Sequence, residues 1–213
     1  VSQIGKECHG DGCAIFREVG KCVMPKEGIF LRVVEGGQVQ AGDEVTWSPR
    51  PLRIKVITLS DRASRGEYTD RSGPRVETLL AEYFGSTRWH LAADRVVLPD
   101  DADALSRELV QARDEGIDVV ITTGGTGVGP RDITPDVVIG LADKLVPGVM
   151  EAIRLKFGEK KPRALLSRGV AAVMGGTLVY SLPGSVRAVN EYMGEILKTM
   201  EHLIYMLHEL DIH

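Results

Sequence analysis

The sequence predicts an α/β protein built on a doubly wound, mostly parallel sheet, with a small all-β segment in front of it. From Arg53 onward, apolar runs of strand length alternate with amphipathic runs of helix length, which is the order of βαβ units. Polar residues and glycines concentrate where successive strands end, and a sheet of this kind binds its ligand there. Residues 1–47 are instead rich in Gly, β-branched residues and turn signals, a composition typical of short strands.

In the N-terminal segment, GIFLRVVEGG predicts a strand and a turn, and GDEVTW predicts a short closing strand. The segment holds too little apolar material for a comfortable core of its own. Residues 48–53, SPRPLR, are predicted to be a linker that Pro49 and Pro51 stiffen. The chain starts at Val1 and its first Met is Met24, so we expect a further piece upstream.

The predicted main domain spans residues 54–213. Its elements follow from hydrophobic periodicity and from the turn residues between them. In order they are the strand RIKVITLS, the helix SGPRVETLLAEYF, the strand ADRVVLP, the helix DADALSRELVQARDEG, the strand IDVVITT, the helices PDVVIGLADKL and PGVMEAIRLKFG, the strand material GVAAVMGGTLVYSLP, and the long helix SVRAVNEYMGEILKTMEHLIYMLHEL.

The overall composition narrows the class of protein. The chain has 213 residues and a formal net charge of -4, with no basic cluster interleaved with aromatics, so we expect no nucleic-acid partner. No apolar run reaches the length of a membrane span, and the start of the chain has no signal-peptide pattern. We therefore expect a cytoplasmic protein without a membrane partner.

Cys8, Cys13 and Cys22 are the three cysteines, and all lie near the start of the chain. An odd, clustered set of this kind is not a disulfide framework. Together with His9 they form a possible zinc set, although adjacent Cys-His ligands are awkward and no C-x-x-C pair exists. The other interpretations are a reactive thiol at Cys8 and three small buried side chains.

Residues 118–136, DVVITTGGTGVGPRDITPD, predict an anion site. Gly124, Gly125 and Gly127 follow a buried strand and let backbone N–H groups turn toward a phosphate. Thr134 is predicted to cap the next helix, whose N-terminus would also face the ligand. Neither a P-loop motif nor a G-x-G-x-x-G dinucleotide motif occurs, so a tight strand-to-helix turn is the alternative for the Gly-Gly-Thr-Gly run alone.

Three other polar clusters follow predicted strands, and they are Ser60-Asp61-Arg62, Pro99-Asp100-Asp101 and Pro183-Gly184-Ser185. Asp101 or Asp103 is explained by capping of the helix that follows, and Asp136 by the dipole of its own helix.

Asp100 and Asp132 are different, because two carboxylates beside a phosphate-binding loop are what Mg²⁺ requires of a protein. A carboxylate repels a polyphosphate unless a cation stands between them, so the pair favours metal-bridged nucleotide chemistry.

These residues resemble the molybdopterin adenylyltransferase (MogA/MoaB-type) family. The similarity runs over about residues 53–206 and rests on ITLSDRASRGEYTDRSGP, LPDD, TTGGTGVGPRDITPD, LSR and GGTLVYSLPGS, in that order. It implies a three-layer α/β fold, usually a homotrimer, that uses Mg-ATP to adenylylate the terminal phosphate of molybdopterin and releases pyrophosphate. A molybdenum insertase would receive the product.

Carried over by position, the resemblance implies functional acids at Asp100 and Asp132, which would hold Mg²⁺. Nucleotide or pterin would be bound by the remaining matched residues, namely Ser60, Asp61, Gly124, Gly125, Thr126, Gly127, Arg131, Pro183, Gly184 and Ser185. The Arg131-Asp132 pair, which some family members lack, favours the active form.

Residues 1–47 resemble the C-terminal part of a MOSC domain, in GKECHGDGCAIF, VGKCVMPKEGIF and GGQVQAGDEV. This resemblance implies sulfur transfer through Cys8. Two rival functions follow for the whole chain, a non-catalytic molybdopterin-binding or carrier subunit and a sulfur-transfer protein that acts through Cys8.

Overall fold

The computed structural model describes residues 3–4, 14–20, 29–30, 33, 35–46, 48, 50–87 and 89–208. The chain divides into two compact units, residues 1–48 with 205–213 and residues 49–204. The cysteines and the predictions made for them lie outside the described residues. The interpretation of residues 1–47 as part of a MOSC domain stays a prediction.

In the smaller unit, strands β1 (Gln3–Ile4) and β2 (Ile29–Phe30) pair antiparallel. Helix α1 (Ala14–Val19) lies between them in the chain, and Gly20 ends it with a φ of +70° and an N–H that donates to the Phe16 carbonyl over 2.8 Å. The expectation of an all-β segment is therefore wrong. The predicted closing strand is also absent from the described residues 43–46, which have no regular structure.

Six strands of the described chain form one sheet in the larger unit, in the order β4-β3-β5-β8-β7-β6. The first four run parallel, and β7 runs antiparallel to both its neighbours, so the predicted mostly parallel α/β fold is confirmed. The strands are β3 (Leu52–Leu59), β4 (Leu91–Leu98), β5 (Val119–Thr123), β6 (Lys144–Leu145), β7 (Ala171–Met174) and β8 (Thr177–Leu182).

The helices of this unit connect the strands and follow the predicted order. They are α2 (Asp61–Ser64), α3 (Ser72–Phe84), α4 (Ala102–Asp114), α5 (Thr134–Leu141), α6 (Pro147–Gly158), a 3₁₀ helix (Pro162–Leu166) and α7 (Val186–Leu207). One prediction was too long: the helix expected through Leu145 ends at Leu141, and Lys144–Leu145 pairs with β7 instead. Among the described residues, no helix is long and apolar enough to cross a membrane.

Helices on both faces bury the sheet. On one face Leu105 and Leu109 of α4 and Val138 of α5 join Ile57 and Val120 of the strands in one apolar cluster. On the other face α3 packs on the sheet, and its Arg75 donates to Asn190 of α7 over 2.7 Å. Because β5 is buried at every residue, its carboxyl end holds the loop that follows on a rigid base.

Candidate active site

The four polar clusters lie together at one edge of the sheet. They follow β3, β4, β5 and β8, which are parallel neighbours, so their carboxyl ends meet there. The Ser60 N–H donates to the Leu98 carbonyl over 2.9 Å, and the Gly124 N–H donates to the Leu182 carbonyl over 2.9 Å. The sequence predicts these clusters at strand ends, and the topology brings them side by side.

The glycine loop after β5 needs glycine at two positions. Gly124 has a φ of +101°, and a Cβ there would lie 2.3 Å from the Leu59 carbonyl oxygen of β3. Gly125 has a φ of +61°, and its Cβ would lie 2.6 Å from the Thr134 hydroxyl. L side chains rarely adopt this conformation, so these two glycines let the chain turn sharply over the sheet edge.

Thr134 closes this loop in a way that differs from the predicted helix cap. It is the first residue of α5, and its hydroxyl donates to the Gly124 carbonyl over 3.0 Å. Its N–H donates to the Gly125 carbonyl over 3.1 Å. The side chain therefore ties the helix start back to the glycine turn, and no side chain caps the helix at Ile133.

Asp61 and Asp100 form the acidic side of the site. The Asp61 N–H donates to Asp100 Oδ2 over 3.0 Å, and the Asp100 N–H donates to Asp61 Oδ1 over 3.1 Å. Arg131 Nη2 donates to Asp61 Oδ2 over 2.5 Å. The Arg131 guanidinium, together with the Asp100 backbone N–H, holds the pKa of Asp61 below its usual range.

Asp132 stands at the far end of the glycine loop. Its Oδ2 accepts the Gly129 N–H over 2.8 Å, and its own N–H donates to the Gly129 carbonyl over 3.0 Å. Gly127 also lies against this carboxylate, since a Cβ there would be 2.6 Å from Oδ2. Arg131 beside it donates to Asp61, which links this loop to the acids after β3 and β4.

Asp100 and Asp132 fit the magnesium prediction by their chemistry. Both are partly buried, and within the described residues neither Oδ1 has a hydrogen-bond partner. No group of three His, Cys, Asp or Glu side chains in the described part of the chain is arranged to hold a metal by itself. Mg²⁺ requires only one or two carboxylates when substrate phosphates and water complete its shell.

Two serines of the predicted site cap helices. Ser60 Oγ accepts the Ala63 N–H over 3.2 Å at the start of α2, and Ser185 Oγ accepts the Ala188 N–H over 3.2 Å at the start of α7. Asp101 does the same for α4 through the Ala104 N–H over 2.7 Å, which confirms the capping interpretation for this acid.

Arg168 contacts the site, although the sequence analysis assigned it no role. Its Nε donates to the Gly127 carbonyl over 2.7 Å, and its Nη2 donates to the Asp132 carbonyl over 2.5 Å. Both terminal nitrogens also donate to the Asp136 carboxylate, over 2.9 and 3.0 Å. This bond to Asp136 raises the pKa of Arg168, and it lowers the pKa of Asp136.

A second residue without a predicted role is Asp70, which lies before α3 and is 7% exposed. Its Oδ1 accepts the Ser72 N–H over 2.9 Å and the Gly73 N–H over 3.1 Å, and its Oδ2 accepts the Thr58 hydroxyl over 2.8 Å. Burial alone would raise the pKa of Asp70, but these hydrogen bonds hold it below its usual range. Asp70 thus fixes the α2–α3 connection to β3, two residues from Ser60.

A cavity of about 510 Å³ opens beside the glycine loop, a volume typical of small-molecule sites. Lys161, Arg163 and Arg187 give its wall a cationic character, while Glu191 pairs with Lys161 and Arg187. The wall is completed by residues of the glycine loop, of the 3₁₀ segment, of the β8–α7 turn and of α7, including Thr126, Gly127, Ser167, Pro183, Gly184, Ser185 and Tyr192.

Tyr192 lines this cavity, and its hydroxyl is buried. Burial raises the pKa of Tyr192, which lies beside Ser167. Its hydroxyl has no hydrogen bond of full geometry within the described residues. With no exposed surface of its own, this hydroxyl lies behind the cavity wall.

Comparisons with known proteins identify the family of this chain. A family described as a probable molybdopterin binding domain matches residues 55–202. The chain is 32% identical to a molybdopterin adenylyltransferase of Helicobacter pylori, over 73% of this chain and 88% of that protein. It is 37% identical to molybdenum cofactor biosynthesis protein B of Staphylococcus carnosus, over 76% of this chain and 92% of that protein.

Solved structures show the same fold. A structure of MogA superposes with a TM-score of 0.67 at 33% identity, covering 73% of this chain and 99% of that one. The tungsten cofactor synthesizing protein MoaB from Pyrococcus furiosus superposes with a TM-score of 0.64 at 33% identity, covering 75% and 99%.

Proposed function

The chain belongs to the family of probable molybdopterin-binding domains, and from that premise we propose that it is a nucleotidyltransferase of molybdenum cofactor biosynthesis. It uses Mg-ATP to adenylylate the terminal phosphate of molybdopterin and releases pyrophosphate. Relatives named molybdopterin adenylyltransferase support the reaction class, at 32% identity in Helicobacter pylori and 36% in Escherichia coli.

The observation that supports the proposal is the contact between the glycine loop and the acids after the neighbouring strands: Arg131, next to Asp132, donates to Asp61, and Asp61 exchanges hydrogen bonds with Asp100. A carboxylate repels a phosphate, whereas a phosphate-binding group attracts it. Both occur in one site where a cation stands between the carboxylate and the phosphate. Mg²⁺ held by Asp100 and Asp132 would neutralise the charge that develops on the transferring phosphoryl group.

The reaction requires no nucleophile from the protein. A terminal phosphate oxygen of molybdopterin attacks the α-phosphorus of ATP, the bond from that phosphorus to the β-bridging oxygen breaks, and pyrophosphate leaves with the bond's electron pair. The attacking oxygen is already anionic at neutral pH, so no base has to remove a proton. The work of the protein is to align two polyanions and to offset their charge.

Different residues of the chain align the substrates and offset their charge. The turn at Gly124 and Gly125 brings the backbone of residues 125–127 to the phosphate, while the Gly124 N–H is held by the Leu182 carbonyl. Arg131, whose side chain is 64% exposed and paired with Asp61, supplies a positive charge at the crevice. The serines at 60 and 185 are already engaged as helix caps, so we assign them to shaping the two turns that flank the ligand.

We assign molybdopterin to the cavity lined by Lys161, Arg163 and Arg187, and the triphosphate of ATP to the crevice of the three acids. The cavity shares Thr126 and Gly127 with the glycine loop. A pterin seated there would have its phosphate near that loop, and the side chain of Tyr192 lines the same cavity.

The assembly and the partners belong to the same proposal. The family resemblance implies a cytoplasmic homotrimer that passes the adenylylated pterin to a molybdenum insertase. Light scattering after size exclusion tests the trimer, with a monomer mass as the contrary result.

Pyrophosphate release from Mg-ATP tests the function, with the protein compared with and without added molybdopterin. We expect release only when molybdopterin is present, and strong loss in Asp132→Asn. Binding of molybdopterin without release would instead support a carrier subunit. Sulfur transfer through Cys8 stays a separate prediction, and Cys8→Ser should leave pyrophosphate release unchanged.

A further inference from the structure

We propose that Arg168, held by Asp136, is a positioning residue that sets the shape of the glycine loop and the place of Asp132. Its effect on turnover rests on the proposed function, whereas its effect on the loop does not. Arg168 follows the 3₁₀ helix Pro162–Leu166 closely in the chain. It is 41 residues from Gly127 and 36 residues from Asp132. Its contacts therefore join distant parts of the sequence.

The guanidinium ties the loop at both of its ends. On one edge of the planar group, Nε donates to the Gly127 carbonyl and Nη2 donates to the Asp132 carbonyl, over 2.7 and 2.5 Å. The main chain adds a third tie, because the Arg168 N–H donates to the Thr126 carbonyl over 2.9 Å. Three carbonyls of the loop 126–132 thus take their positions from one residue.

Asp136 completes the arrangement from the first turn of α5. It accepts from both terminal nitrogens of Arg168 and lies 63% exposed, so as an ion pair alone it would contribute little. Its geometric role is larger, because a carboxylate gripped by two N–H groups fixes the plane of the guanidinium. That plane directs the remaining N–H groups at Gly127 and Asp132.

The consequence concerns Asp132. Its Oδ2 is set by the Gly129 N–H and its backbone carbonyl is set by Arg168, so both ends of the residue are anchored. Loss of the hydrogen bond from Arg168 to the Asp132 carbonyl would keep the negative charge of Asp132 but would shift the position of its carboxylate. We therefore expect turnover to fall more than substrate binding when Arg168 is altered.

Lysine at position 168 is the decisive variant. It keeps the positive charge and part of the packing, but its single ammonium cannot span two carbonyls and a carboxylate in one plane. We expect Arg168→Lys to lower kcat about 10- to 100-fold, the range seen for groups that orient metal-binding side chains, with KM for ATP changed less than threefold.

Variants of Asp136 test the coupling. Asp136→Asn should lower kcat about threefold to fivefold, and Asp136→Glu, which keeps the carboxylate, should recover most of that loss. Because Asp136 acts through Arg168, Asp136→Asn should have no further effect in the Arg168→Lys background. Arg113→Lys is the matched control, since Arg113 pairs with exposed Asp114 at the end of α4 and should keep normal kcat.

Hydrogen exchange gives a readout that needs no turnover. Exchange of the peptide covering residues 124–133 should quicken at least tenfold in Arg168→Lys, while the melting temperature falls by only a few degrees, as for Arg113→Lys.

Wild-type exchange and wild-type kcat in Arg168→Lys would overturn the proposal, and so would an additive loss in the double variant. If the wild type itself releases no pyrophosphate, the adenylyltransferase function fails, and the exchange rates alone then decide for or against the role of Arg168.

Discussion

Replacing Gly124 by alanine would place a methyl group 2.3 Å from the main-chain carbonyl oxygen of Leu59. The φ of +101° adds a second cost, because an L residue loses about 1–2 kcal/mol in the left-handed region. The oxygen belongs to β3, which is paired on both sides, so it has little freedom to move away. Overpacking against a fixed group costs about 1–3 kcal/mol. We expect Gly124→Ala to lower the free energy of unfolding by about 2–5 kcal/mol, the sum of these two costs.

Two other glycines separate the contributions to this cost. Gly116 has a φ of +71°, but a Cβ there would meet nothing within 4 Å, so Gly116→Ala should cost only about 1 kcal/mol of backbone strain. Gly194 lies in α7 and has open space around it. Gly194→Ala should therefore raise the free energy of unfolding by about 1 kcal/mol through helix propensity.

Urea unfolding followed by circular dichroism measures all three variants against the wild type. The reasoning predicts the order Gly194→Ala most stable, then wild type, then Gly116→Ala, and Gly124→Ala least stable. A Gly124→Ala protein as stable as Gly116→Ala would show that the loop moves away from β3 at little cost. The glycine turn would then not be held rigidly at the crevice.

Three further predictions concern charged groups. Asp132→Asn keeps an oxygen for the Gly129 N–H, so the free energy of unfolding should change by less than about 1 kcal/mol. Pyrophosphate release should fall about 100-fold or more, because the charge at the metal is lost. An equal loss of molybdopterin binding would contradict this prediction. Because the folded-state pKa of Asp70 lies below its ordinary value of 3.8, its stabilisation is present above that value and is lost as the pH falls through the folded pKa. Asp70→Asn should flatten this part of the stability curve measured by urea unfolding, and an unchanged slope would exclude Asp70 as its source. Lys55→Met leaves Glu108 without its partner at 2.6 Å and should cost about 3 kcal/mol in a thermal or urea melt; a loss under 1 kcal/mol would mean that solvent reaches Glu108.

Much of the larger unit could be predicted from the sequence, because its elements are long and strongly periodic. The predicted helix SGPRVETLLAEYF coincides with α3, and PGVMEAIRLKFG coincides with α6. Short elements were harder: α1 has six residues, and Lys144–Leu145 is a strand only because β7 lies beside it. Tertiary pairing decides such segments, and local pattern does not report it.

The site was predictable only where it follows strands. Asp100 and the glycine turn come directly after apolar runs, Asp132 stands at the far end of the loop that this turn begins, and a parallel sheet gathers such residues at one edge. Arg168 follows no long strand, and its partners lie 32 to 41 residues away, so its role depends on the folded chain. The serines at 60 and 185 show the reverse case: their position pointed to ligand binding, yet their hydroxyls serve as helix caps.

Transfer of label from ATP tests the central claim most directly. The full chain would be incubated with molybdopterin, Mg²⁺ and ATP labelled at either the α- or the γ-phosphate, and the products separated by chromatography. Adenylyl transfer predicts that the α label appears in the pterin and the γ label in pyrophosphate, with both lost in Asp132→Asn. Molybdopterin that binds but stays unlabelled would contradict the adenylyltransferase account.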